Sequence, residues 1–174
     1  MSRTAELAGE LDRAGLTAAA PIEQQLVGVA ESRWVPPEHL VPAAAAARRA
    51  GFFFESMTCT DRLAAHGALE LLYTFNRYDE PPPPARLAVR VWVPHGMSVP
   101  TLTRVYGIAE WNEREAWEFY GIRFAGHPNL TWLLLPEGTE FHPLLKSFTA
   151  PPPSAFDDSL SAARGAPNPA VSES

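Results

Sequence analysis

Four consecutive prolines, Pro81 to Pro84, set the first limit on how this chain folds. Proline has no N–H to give to a ladder and fixes its own φ. No central strand runs through such a segment, so it is expected as a stiff exposed loop between two strands. A second run, Pro151 to Pro153, lies in a stretch of Pro, Ser, Ala, Gly and Asp with little to bury. Residues 1–148 therefore read as one domain and 149–174 as a flexible tail. The 18 prolines are about twice the usual ~5% share and cap the amount of regular structure.

Periodicity assigns the rest. Leu7 and Leu11 share a face of a short helix over residues 4–14, with Thr4 as its N-cap and Gly15 as its stop. Ile22, Leu26, Val27, Val29, Trp34 and Val35 suggest one or two short strands. Pro37 suits the first position of a helix over 38–50, and Gly51 stands where a terminating glycine belongs. Pro42 either kinks this helix or moves its start forward. Three strands are expected at 52–60, 69–76 and 87–93. Leu69, Leu71, Tyr73 and Phe75 share one face of the second; Leu87, Val89, Val91 and Val93 share one face of the third. Short connections make an antiparallel meander the simplest topology. A helical region is expected over 101–120, with a break near Trp111 because Asn112 and Glu115 resemble a second helix start. The fold class is α+β: an antiparallel sheet of three or four strands, helices packed on it, and an irregular C-terminal tail.

Composition excludes several functions. A lone Cys59 makes an intrachain disulfide impossible and cannot supply an all-cysteine zinc or iron–sulfur site. A formal charge of −6 argues against a nucleic-acid footprint. No apolar run approaches the ~20 residues of a membrane span, and Met1 to Glu10 lacks the apolar core of a signal peptide. No phosphate-binding glycine loop and no nucleophile elbow is present.

The densest polar cluster is Glu110, Glu113, Arg114, Glu115 and Glu118, followed by His127. Glu115 and Glu118 are helix neighbours, and with His127 they form a candidate metal set. The plainer reading is a charged helix face in which Arg114 pairs with adjacent carboxylates. His127-Pro128 and His142-Pro143 each fix a turn, because proline biases the preceding residue toward extended backbone. Trp111, Trp117, Phe119, Tyr120, Phe124 and Trp132 make an aromatic stretch suited to core or interface. A partner-binding module needs fewer assumptions than an enzyme.

One stretch is more specific. Residues 109–130 contain Glu113-Arg114-Glu115, Glu118, Phe119-Tyr120, Gly121-Ile122-Arg123-Phe124 and Gly126-His127-Pro128-Asn129-Leu130. This resembles the signature of the C-type, or thirty-kilodalton, subunit family of NADH:quinone oxidoreductase (respiratory complex I). Thr58/Thr60-Asp61 and Val99-Pro100-Thr101 are similar to flanking family features. The resemblance implies a non-catalytic structural subunit of the hydrophilic arm. It implies no cofactor in this chain, with NADH, quinone and iron–sulfur clusters in partner subunits. The implied partners are the large quinone-module subunit, of the forty-nine-kilodalton type, and a neighbouring small iron–sulfur subunit. Membrane contact would come only through the complex, at the cytoplasmic face of the cell membrane. A similar domain occurs in membrane-bound nickel–iron hydrogenase and formate hydrogenlyase complexes, which gives the rival assembly. Glu113, Arg114, Glu115, Glu118, Gly121, Phe124, Gly126, His127, Pro128, Asn129, His142 and Pro143 are the expected motif or interface residues. The chain departs from the family pattern at Thr131 and Trp132, and at Leu145 and Ser147, where basic and Arg/Asp residues are usual.

Overall fold

The computed structural model describes residues 3–13, 16–18, 28–78 and 85–149. The Pro81–Pro84 loop, the tail beyond Thr149, Gly15, and the apolar residues Ile22, Leu26 and Val27 lie outside the described residues.

The expected meander forms. Strands β3 (Phe53–Arg62), β4 (Ala68–Arg77) and β5 (Ala85–Pro94) pair antiparallel in succession. Leu71 lies opposite Val91, Tyr73 opposite Val89 and Phe75 opposite Leu87, so the two apolar faces read from the sequence meet across the ladder. All six are fully buried. Burial of a side chain of this size stabilises by about 1.5–3 kcal/mol, and cross-strand neighbours add to it. Rings of Phe54, Tyr73, Phe75 and Tyr106 pack edge-on or tilted at 5.3–6.4 Å, and the Tyr106 hydroxyl donates to the Phe52 carbonyl at 2.8 Å.

Two strands extend the sheet. β2 (Glu31–Trp34) runs parallel to β5, and β1 (Thr17–Ala18) runs antiparallel to β2, giving the order β1-β2-β5-β4-β3. The parallel pair departs from the all-antiparallel expectation. Its partners, such as Glu31 and Leu87, are far apart in sequence, and no local turn chemistry announces them.

Helix α1 (Arg3–Arg13) buries Leu7 and Leu11 and packs on α2 (Leu40–Arg49). α1 begins one residue before the Thr4 expected to cap it. A 3-10 turn, Pro37–His39, leads into α2, so Pro42 falls in the first turn. Its missing N–H would have had no helical partner there, and the proline moves the helix start forward rather than kinking it. Leu40, Ala43, Ala44, Ala46 and Ala47 face the core. The Arg77 guanidinium closes the C-terminal end on the Ala50 carbonyl at 2.7 Å.

After a four-residue helix α3 (Leu63–His66) and the meander, β6 (Ser98–Pro100) pairs in parallel with β7 (Arg123–Ala125). Between them residues 101–108 form turns, and α4 (Ala109–Tyr120) runs without interruption. The expected break at Trp111 is absent. Asn112 lies in the first turn of α4, and its Oδ1 accepts the Met57 N–H of edge strand β3 at 3.3 Å. The first part of the helical region expected over 101–120 is instead turns over 101–108, one of them closed on the Leu102 carbonyl by Val105 and Tyr106. No helix of the described residues is long and apolar enough to cross a membrane.

Candidate functional site

Helix α4 carries the polar cluster, and two of its carboxylates turn inward. Glu113 and Glu118 are both fully buried. A charged face cannot be buried unpaired, so each carboxyl must find donors. Glu118 accepts the successive N–H groups of Leu133, Leu134 and Leu135 at 2.9–3.3 Å. It thereby holds an otherwise irregular segment against the helix. Glu113 accepts the Leu102 N–H at 2.7 Å and contacts the Thr101 hydroxyl. Burial pushes the Glu113 carboxyl up to about 7, against the pull of Thr101 and Leu102.

Arg114 does not pair with the neighbouring carboxylates. It donates to the carbonyls of Thr131 and Trp132, and its guanidinium lies 5.9 Å over the Trp111 ring. Trp132 in turn packs on Trp117 at 4.7 Å. The side chain of His127 is fully buried. Its Nδ1 accepts the Asn129 N–H at 3.1 Å, so that nitrogen carries no hydrogen. Nε2–H therefore donates, to the Glu110 carbonyl at 3.2 Å. Pro128 and Asn129 are exposed at the tip of this turn.

Gly121 ends α4 with φ +77°, a left-handed value that costs a side chain about 1–2 kcal/mol. A Cβ there would also stand 2.7 Å from Nε2 of His142. The His142 ring fills that space, and its Nδ1–H donates to the Glu118 carbonyl at 2.9 Å. Pro143 follows at the turn, and Leu144 N–H reaches the Phe119 carbonyl. Phe124 is buried on β7, opposite Val99. Gly126 has φ +79° and packs near the Thr101 methyl. Asp61, at the end of β3, accepts N–H groups from Lys146 at 2.7 Å and Leu63 at 2.8 Å. These two bonds, the Lys146 one foremost, hold its carboxyl below the usual range.

The candidate metal set is not assembled. Glu118 faces 133–135, His127 faces Glu110 and Asn129, and exposed Glu115 borders a separate cleft with Met57, Cys59, Tyr120 and Leu144. Among the described residues no group of three His, Cys, Asp or Glu side chains is placed to hold a metal ion. Burial, then the charges of Asp61 and Glu70, push the Cys59 thiol up to about 12, so it makes a poor nucleophile.

Sequence reasoning missed Thr101, Asn112 and the anchoring role of Asp61. Only Asp61 left a local signal, an aspartate whose carboxylate accepts the N–H two residues on.

Comparison with known proteins agrees with this layout. The family model described as the respiratory-chain NADH dehydrogenase 30 Kd subunit matches residues 33–154. The chain belongs to this family. The NADH-quinone oxidoreductase C/D subunit of Pseudomonas paraeruginosa is 46% identical over 68 residues, which cover 39% of this chain. The chain spans only 12% of the length of that curated relative. The trypsin-resistant fragment of Nqo5 superposes with a TM-score of 0.60 at 27% identity, covering 74% of this chain and 99% of the fragment. A chain of the membrane-bound sulfane sulfur reductase, an archaeal respiratory membrane complex, superposes at 0.69 over 99% of both chains. Its 17% identity speaks for the fold alone. In this family member the signature coincides with α4, the Gly121 turn and the His127 loop, where the buried polar contacts concentrate.

Proposed function

We propose that this chain is a non-catalytic structural subunit of the hydrophilic arm of a membrane-associated NADH:quinone oxidoreductase. In this reading it docks on the large quinone-module subunit, beside a small iron–sulfur subunit, at the cytoplasmic face of the cell membrane. Electron transfer from NADH to quinone and the coupled proton translocation belong to those partners, with their clusters.

The supporting observation is the division of labour around α4. Glu113, Glu118 and His127 are engaged inside the chain, while large apolar side chains beside them stay exposed. Ile108 and Trp111, one helical turn apart, are 59% and 58% exposed, and Leu134 is 64% exposed. Arg114 joins them, with Trp111 under its guanidinium and the 131–132 carbonyls on its donors. Exposed aromatic and aliphatic side chains on a rigid frame suit a protein partner. The curated relatives carry the joint name C/D, which couples this subunit type to a second one.

The test is affinity purification of the tagged full chain from its native membranes in mild detergent. The reading expects co-migration with quinone reductase subunits, lost in a Trp111→Ala/Leu134→Ala variant whose thermal melting is unchanged. Migration alone, or with hydrogenase subunits, contradicts it.

A further inference from the structure

The parallel strands β6 and β7 end side by side, and the ladder continues one step further through Thr101 N–H on the Ala125 carbonyl at 3.0 Å. Just past those ends the chain places two wholly buried ionisable side chains. Glu113 Oε2 and His127 Nε2 lie 3.9 Å apart, beyond hydrogen-bond reach but with no exposed surface on either side chain. The His127 Nε2–H has two acceptors within a small rotation of the ring: the Glu110 carbonyl it now uses, at 3.2 Å, and the Glu113 carboxyl. We propose that Glu113 and His127 form a proton-controlled latch, in which ionisation of Glu113 moves the His127 Nε2–H from the Glu110 carbonyl to the carboxylate and draws the 127–129 turn with it.

The hydrogen-bond order supports two discrete arrangements. Protonated Glu113 is itself a donor, and its O–H points to the Thr101 hydroxyl. Thr101 then donates to the Thr103 hydroxyl at 2.9 Å and accepts the Thr103 N–H at 3.1 Å. In this arrangement both Glu113 and Thr101 have partners, and His127 needs none from the acid. Ionised Glu113 is an acceptor only. Thr101 must then turn its proton to the carboxylate, and the Thr103 hydroxyl loses its donor. The buried anion gains most from one more N–H, because a charge-assisted bond is roughly twice as strong as a neutral one. His127 holds such a donor 3.9 Å away. Its opposite nitrogen is fixed by the Asn129 N–H, so a ring shift of about one ångström carries the turn along.

The surroundings leave the choice to this pair. From β4, Tyr73 brings a buried hydroxyl with no partner, pushed far up by burial and then by the charge of Glu113. From α4, Glu110 offers its carbonyl, and Arg114 is turned away to Thr131 and Trp132. Residues 101–103 bring hydroxyls and an N–H but no ionisable group. Burial pushes the Glu113 carboxyl up to about 7, so the exchange falls in the neutral range. The latch is a property of the free chain and does not depend on docking.

NMR of the isotopically labelled full chain across neutral pH tests it. The Glu113 Cδ, His127 Nε2 and Asn129 amide resonances are expected to move with one shared midpoint. In Glu113→Gln the Asn129 midpoint should vanish. Separate midpoints for Glu113 and Asn129, a pH-insensitive Asn129 amide, or a midpoint retained in Glu113→Gln would overturn the latch. The three wild-type resonances decide the matter even if the variant does not fold.

Discussion

In β4, Leu69, Leu71, Tyr73 and Phe75 lie in a row against β5, and each is backed by the others. The stretch from Gly126 to Phe148 has no such row and no strand; besides Trp132 on Trp117 and the partly buried Leu130 and Leu145, it is held by a few polar side chains. Glu118 holds 133–135, Arg114 holds 131–132, His142 sits under Gly121, and Asp61 holds Lys146. The meander loses a fraction of its stability when one contact goes. The 126–148 strap is expected to lose a whole segment when one of its polar side chains goes. The difference separates the part of the molecule that makes it a folded domain from the part that shapes its surface.

Breaking the meander should give the largest effect. Phe75→Ala removes a fully buried ring and should cost about 3–5 kcal/mol in urea unfolding, with one cooperative transition shifted as a whole. Glu118→Ala leaves three backbone N–H groups without their acceptor, at about 2–3 kcal/mol by the same measurement. Gly121→Ala should cost about 2 kcal/mol from its left-handed backbone and the His142 contact. A double-mutant cycle with His142→Ala should return only the contact part; full recovery would mean the backbone angle is not strained.

The smallest effects are pH slopes of opposite sign, one from Asp61, which ties the strap to β3, and one from Glu113, which ties α4 to residues 101–102. Asp61 is held below its ordinary value of 3.8, so its contribution is complete above that value. It is lost as pH falls through the lower folded-state value, and Asp61→Asn should flatten acid unfolding. Glu113 is raised from 4.5 to about 7, so the folded chain binds the extra proton between those values. Stability should fall as pH rises from about 4.5 to about 7 and level off above. Glu113→Gln should remove that slope in pH-dependent urea melts.

The same contrast explains what could be read from the chain. The alternation of Leu69 to Phe75 and of Leu87 to Val93 repeats at every second residue, so one misjudged position does not hide the pattern. Gly51 also announced a helix end, because positive φ selects glycine. The strap left no such repetition. Exposed Glu115 and buried Glu118 are the same letter three residues apart, and only amides 15 to 17 residues downstream distinguish them. Arg114 was expected on a carboxylate and found two carbonyls for the same reason. Asn112 looked like a helix start because capping residues and edge-strand acceptors share their chemistry. The β2–β5 pair is set by tertiary closure and has no local trace.

Hydrogen exchange on Glu118→Ala, read residue by residue beside the unsubstituted chain, tests most directly whether the buried motif residues hold the strap. The amides of Leu133, Leu134 and Leu135 should lose protection together with their neighbours in 131–146, while those of β4 and β5 keep theirs. Equal loss of protection in the strap and in the meander, or unchanged protection at 133–135, would contradict that role for Glu118.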